Sequence, residues 1–177
     1  ILHTFLSDDA VKRAVGLVRD GAARAGRDPA AVKVWTVLAV ACDASEERRL
    51  KLLTARMATY LQAPGYGELL FEINGWDPAG LAAFRASPVV KSIPGGIDSV
   101  ATTEQLRAIR ELMPAEWLPA ADGSPEQCAR RILDQFEAGA DGVILHASLP
   151  REVAPALEAW TKIRPAERFR ARSGRPA

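Results

Sequence analysis

From Val32 to Cys42 the chain reads Val-Lys-Val-Trp-Thr-Val-Leu-Ala-Val-Ala-Cys, an almost unbroken apolar run rich in β-branched residues. A strand with one wet face alternates apolar and polar side chains; this one does not, so it is expected to be covered on both faces, as parallel strands are. Such a strand needs a crossover helix on each side of it in the chain, and the flanking sequence supplies them. Before it, Val11, Ala14, Val15, Val18, Ala22 and Ala25 recur at three- and four-residue spacing behind Ser7 and Asp8, either of which can cap a helix running to about Ala25. After it, Asp43 and Glu46 have capping-box spacing and open a helix to about Gln62 that buries Leu50, Leu53, Met57 and Leu61.

The tripeptide Ile-Leu-His occurs twice, at Ile1 to His3 and Ile144 to His146, and its histidines are the only two in the chain. The second copy follows a Gly-Ala-Asp-Gly turn and precedes a helix, so Gly142 to His146 is read as a strand and about Arg151 to Ile163 as its helix. By analogy Ile1 to Leu6 is read as a strand whose lead-in is missing. Gly123, Ser124, Pro125 and Gln127 combine an N-cap, a proline at the first helical position and a capping box, which predicts a helix over Pro125 to Ala138. Between these units, about 63–119 breaks the rhythm. Short helices are expected around Glu68 to Ile73, Ala79 to Ala86 and Thr103 to Leu112, in a helical insertion with Tyr60, Tyr66, Phe71, Trp76 and Phe84. Those rings either contact a substrate, as loops after strand ends do, or seal the insertion's own core. The tail at 166–177 carries Arg168, Arg170, Arg172 and Arg175 and is expected to be mobile.

A formal net charge of +1 lacks the basic excess that phosphate backbones demand, so nucleic acid is not expected as a partner. No apolar run approaches the ~18 residues of a membrane span, and no charged segment leads an apolar one at the start, as in a signal peptide. Cys42 and Cys128 have no metal or redox spacing and suit a reducing, cytoplasmic setting. Two histidines outside any paired ligand motif give no expectation of a metal. Gly95-Gly96 is either a turn or a phosphate cradle, the latter as in a sugar-phosphate barrel enzyme. Cys42 has no adjacent base and reads as a buried small residue rather than a nucleophile.

Strand, helix, strand, helix, insertion, helix, strand, helix is an α/β pattern with parallel strands. A closed (β/α)8 barrel takes eight strands and typically ~250 residues, so this chain is too short to be a whole one. Gly123 to Leu133 (Gly-Ser-Pro-Glu-Gln-Cys-Ala-Arg-Arg-Ile-Leu), followed by Ala138 to His146 (Ala-Gly-Ala-Asp-Gly-Val-Ile-Leu-His), resembles the ending of the luciferase-like oxidoreductases. The approach Ala23 to Val32 (Ala-Arg-Ala-Gly-Arg-Asp-Pro-Ala-Ala-Val) is similar to the same family's lead into its seventh strand. Ile1 to Asp8, with Tyr60 to Gln62 and Gly75 to Pro78, resembles its deazaflavin-dependent branch.

The resemblance spans about Ile1 to Pro165. It implies the carboxyl-terminal part of a TIM barrel, strands six to eight with a helical insertion, from an enzyme that transfers hydride through coenzyme F420, a deazaflavin, or alternatively FMN. Strands one to five, with much of the coenzyme's seat, would be missing, so the chain alone is expected to be inactive and to bind no coenzyme unaided. It also implies partners: the missing amino-terminal half or a second copy to cover open strand edges, and a small-molecule substrate. The strand ends then supply the candidate coenzyme contacts His3, Thr4, His146 and Ser148, beside Cys42 and Asp43; Tyr60, Tyr66 and Trp76 fall on the substrate side. The rival reading is a non-catalytic α/β interaction module with structural histidines.

Overall fold

The computed structural model describes residues 1–169. In chain order the elements are α1 (Asp8–Arg24), β1 (Trp35–Cys42), α2 (Glu46–Arg49), a π-helical segment (Leu50–Ala55), α3 (Arg56–Gln62), α4 (Tyr66–Asn74), α5 (Pro78–Ala86), α6 (Pro88–Lys91) and α7 (Ile97–Val100). They continue with α8 (Thr103–Glu111), β2 (Ala121–Gly123), α9 (Pro125–Glu137), β3 (Gly142–His146), α10 (Pro150–Ile163) and α11 (Ala166–Phe169). The strands form one parallel sheet in the order β2-β1-β3, with Trp35 opposite Gly142 and Ala39 opposite His146.

β1 is the central strand because both its faces find cover, as its apolar run requires. Side chains alternate across a strand. Leu38, Val40 and Cys42 meet Cys128, Ile132 and Phe136 of α9 and Val153 and Ala156 of α10 in one core. Ala39 and Ala41 point the other way, into a larger core built from α1 and the helices of the insertion. Short alanines there let those helices approach the sheet closely. Asp141, in the turn before β3, binds the sheet to α1: its carboxylate accepts from the Val34 amide at 2.9 Å and pairs with Arg19 at 2.7 Å.

Several expectations change. Ile1 to Leu6 is not a strand: the Leu2 amide donates to the Trp35 carbonyl at 2.7 Å, and Phe5 then takes a left-handed backbone, φ 61°, which turns the chain out of any ladder. β2, unforeseen, is only three residues long and has no apolar alternation to reveal it. The helix after β1 is capped by Ser45, whose Oγ accepts from Arg48, and not by Asp43, which sits at φ 47° and ends the strand. Ala166–Phe169, placed by sequence in the mobile tail, is a helical turn held down by Arg168, which donates to the Phe136 and Ala140 carbonyls, and by Phe169 against Phe136 and Trp160. One arginine and one aromatic residue of the tail thus dock it on α9 and α10. The rest of that tail, 170–177, lies outside the described residues. Among the described residues no helix is long and apolar enough to cross a membrane.

Candidate functional site

The turns that follow the amino-terminal segment, β1 and β3 share one backbone device. Phe5, Asp43 and Ala147 all have positive φ (61°, 47° and 77°), and each directly follows a candidate site residue: Thr4, Cys42 and His146. Left-handed backbone is costly for any residue with a Cβ and concentrates where function fixes geometry. Here it turns the chain sharply just beyond the side chain at the end of the extended segment.

Two of these junctions meet. A cavity of about 250 Å³ is lined by Leu2, His3, Thr4, Val37, Tyr60 and His146, together with Ile1. His3 is fixed from both ring nitrogens. Nδ1 lies 2.9 Å from the Thr4 carbonyl, which can only accept, so Nδ1 carries the proton; Nε2 is then the acceptor for a short hydrogen bond donated by the Tyr66 hydroxyl. The His3 ring also stands edge-on to Tyr60 and Tyr66, with centroids 5.2 and 5.3 Å away. On the far side of the His3–Tyr66 pair lies a larger, mostly apolar cleft of about 520 Å³ between α1 and α4, flanked by Leu17, Leu69 and Ile73. The two cavities share Ile1, Leu2 and His3 in their walls.

His146 and Thr4 are different. The His146 imidazole makes no hydrogen bond to any described residue. Burial holds its pKa below the ordinary histidine value, and the positive charge of Arg56 pushes the same way. Thr4 is 2% exposed, and its Oγ1 has no partner among the described residues. Arg56 stacks over the Tyr60 ring at 5.6 Å and pairs with Asp98 at 2.8 Å. Burial raises the Tyr66 phenol, so it stays protonated and able to donate. Beside the cavity the sheet is bare: Trp35 is 40% and Ile144 37% exposed, and the Trp35 ring rests on Gly142, where a Cβ would come within 2.5 Å of it.

The model of one protein family, the luciferase-like monooxygenases, matches residues 1–142. The chain belongs to that family. No curated protein and no solved structure matches it significantly. Luciferase-like proteins typically use flavin-type cofactors, and an oxidoreductase-type fragment is what membership supports. The match covers His3, Thr4, Tyr60 and Tyr66 and stops at the first residue of β3, so His146 lies just beyond it.

Against this luciferase-like background the candidates divide. His3, Thr4, Tyr60 and His146 line one cavity, and Tyr66 touches it through His3. Ser148 does not join them: its hydroxyl donates to the Val40 carbonyl, and it faces a separate cleft with Cys42, Asp43, Arg48 and Glu152. Trp76 is also elsewhere, edge-on to Phe71 at 5.3 Å and beside Trp117, so it seals the insertion's core, as do buried Phe71 and Phe84. Cys42 and Cys128 are buried thiols; burial raises the first and pushes the second up to about 12, far from a reactive thiolate. Gly95-Gly96 leads into the single turn α7, where the Asp98 carboxylate lies 3.3 Å from where a Gly96 Cβ would stand, a poor neighbour for phosphate. Among the described residues no group of three or more potential ligands could hold a metal ion. Sequence reasoning missed Arg56. Its signal was its position one helical turn before Tyr60, which lets its cation reach the ring.

Proposed function

We propose that the chain is the carboxyl-terminal part of a luciferase-like (β/α)8 barrel, contributing its last three strand positions, and that the intact enzyme transfers hydride through coenzyme F420, with FMN as the alternative. The observation that carries this reading is the bare inner face of the sheet, where exposed Trp35 and Ile144 share a face with His146, whose imidazole has no hydrogen-bond partner among the described residues. These residues fit a flat ring system: an apolar surface to lie on and hydrogen-bonding groups at its rim. When bound, the coenzyme supplies the hydride acceptor or donor, and the protein supplies binding, orientation and electrostatics.

In this reading Trp35, Val37 and Ile144 orient the ring and exclude water from one side of it. His3, Thr4 and His146 border its polar edge. Tyr60 and Tyr66 stand on the substrate side, and the Tyr66 hydroxyl is placed to hold a proton against His3 Nε2. The outer edge of β3 has no strand beside it among the described residues, and open edges seek pairing. The amino-terminal half of the barrel, or a second copy of the chain, covers that edge and completes the seat for a small-molecule substrate. Alone, the chain is inactive.

The rival reading, an interaction module with structural histidines, draws support from the apolar cleft between α1 and α4, where Leu17 is 69% and Leu69 49% exposed. Equilibrium dialysis separates the two. The chain mixed with strands one to five of a luciferase-like barrel is expected to retain coenzyme F420 or FMN, whereas the chain alone retains neither. Retention of neither by the mixture favours the module.

A further inference from the structure

The two most exposed leucines among the described residues, Leu17 on α1 and Leu69 on α4, line one cleft of about 520 Å³. Single exposed apolar side chains are ordinary, but several of them around one hollow mark a contact surface. On α1 the wall is made by Ala10, Ala14 and Leu17 at helical spacing, so two short side chains leave room beside one that projects. On α4 the facing wall is Leu69, Leu70 and Ile73. Each wall also carries one charge, Arg13 on α1 and Glu72 on α4. Neither has an ion-pair partner among the described residues. Arg13 donates to the Ile73 carbonyl at 2.6 Å, which ties α1 to the end of α4, and Glu72 makes no hydrogen bond there.

We propose that this cleft binds a second copy of the chain about a twofold axis, with α1 of each copy set on α4 of the other. In such a contact the same patch serves on both sides, so each feature must find its complement within the patch itself. This patch meets that condition. Leu17 of each copy enters the cleft of the other, and Arg13 of each faces Glu72 of the other, so both charges are paired twice. A small amphiphile with one charged end would answer only one of the two charges and be repelled by the other. The apolar contact supplies the affinity, because exposed ion pairs contribute little by themselves, and the charges fix the register. No residue of β3 lines the cleft, so this surface is distinct from the open edge of the sheet, and the contact does not rest on the hydride-transfer reading.

Sedimentation velocity of the full chain across a concentration series tests this. The chain is expected to pass from monomer to dimer at roughly micromolar concentration. Leu17→Asp is expected to weaken the dimer at least about 100-fold, since it removes one buried leucine per copy and puts a charge in its place. Leu157→Asp, at an exposed leucine of α10 away from the cleft, should leave the dimer unchanged. Arg13→Glu and Glu72→Arg each set like charges opposite one another twice and should each weaken it about tenfold, whereas the double swap should return it to within about threefold of the parent. All four positions are exposed, so the variants are expected to keep the parent's urea midpoint. A chain that stays monomeric at every concentration, a Leu17→Asp dimer as tight as the parent's, equal weakening by Leu157→Asp, or a double swap no tighter than the single ones overturns the proposal. So does a monomer that joins added strands one to five of a luciferase-like barrel only while Leu17 is intact, since the cleft then belongs to the amino-terminal half. Coenzyme retention by that mixture is read separately, so either idea can fail while the other stands.

Discussion

The two faces of one small sheet have opposite fates. On the outer face, Leu38, Val40 and Cys42 are sealed beneath α9 and α10, and Phe136 stacks on Trp160 at 5.3 Å with Phe169 closing the edge. On the inner face, cover is complete over Ala39 and Ala41 but stops before Trp35, Val37, Ile144 and His146. The same kind of strand, rich in aliphatic side chains, is therefore structural on one side and available on the other. The difference lies in what packs against it, and the available side is where His3 and His146 come to one cavity.

Truncation on each face gives the widest separation. Phe136→Ala is expected to cost about 3–5 kcal/mol in urea unfolding, the usual loss for a large buried ring with little room to collapse. Ile144→Ala, with more than a third of its surface already in water, is expected to cost less than about 1 kcal/mol. Similar losses at the two positions would show that the inner face is covered in solution, and the comparison would break.

A smaller effect sharpens the junction between the faces. Ala147 holds φ 77° with no glycine to ease it. The left-handed backbone costs a residue with a Cβ roughly 1–2 kcal/mol, and glycine returns about half of that as unfolded-chain entropy. Ala147→Gly is thus expected to stabilise the chain by about 0.5–1 kcal/mol in the same assay while loosening the His146 ring, visible as a narrowed spread of its NMR shifts. A neutral or destabilising result would mean that the backbone here relaxes in solution.

Sequence was legible where a residue acts locally. Ser124, Pro125 and Gln127 announce α9, whose capping box forms as their spacing requires, and the Gly-Ala-Asp-Gly turn gives β3 its bounds. It was illegible where partners are distant. Ile1 to Leu6 has strand composition but a single bond to β1, and Ala121–Gly123 has no composition to speak of yet pairs because β1 lies beside it. The site divides the same way. His3 and His146 could be placed at segment ends from the repeated tripeptide, whereas the exclusion of Ser148 depends on the Val40 carbonyl, that of Trp76 on Phe71 and Trp117, and the importance of Arg56 on the position of Tyr60.

The smallest expected effect is a pH dependence that distinguishes the inner face from the turn before β3. His146 is held below its ordinary pKa of about 6.5, so the unfolded chain takes up its proton first. Stability from this group is complete above about pH 6.5, declines as the pH falls from there to the folded value, and then levels off. Asp141 is shifted in the same direction, with the opposite meaning for its charge: the Val34 amide and Arg19 outweigh the burial that opposes them and stabilise its ionised form. Its contribution holds above the ordinary aspartate value near 3.9 and is lost as the pH falls through the folded one. Urea midpoints across this range should show two separate declines, the upper absent in His146→Gln and the lower reduced but still present in Asp141→Asn, because hydrogen bonds from arginines also hold the Glu68 and Glu152 carboxyls down to about 2.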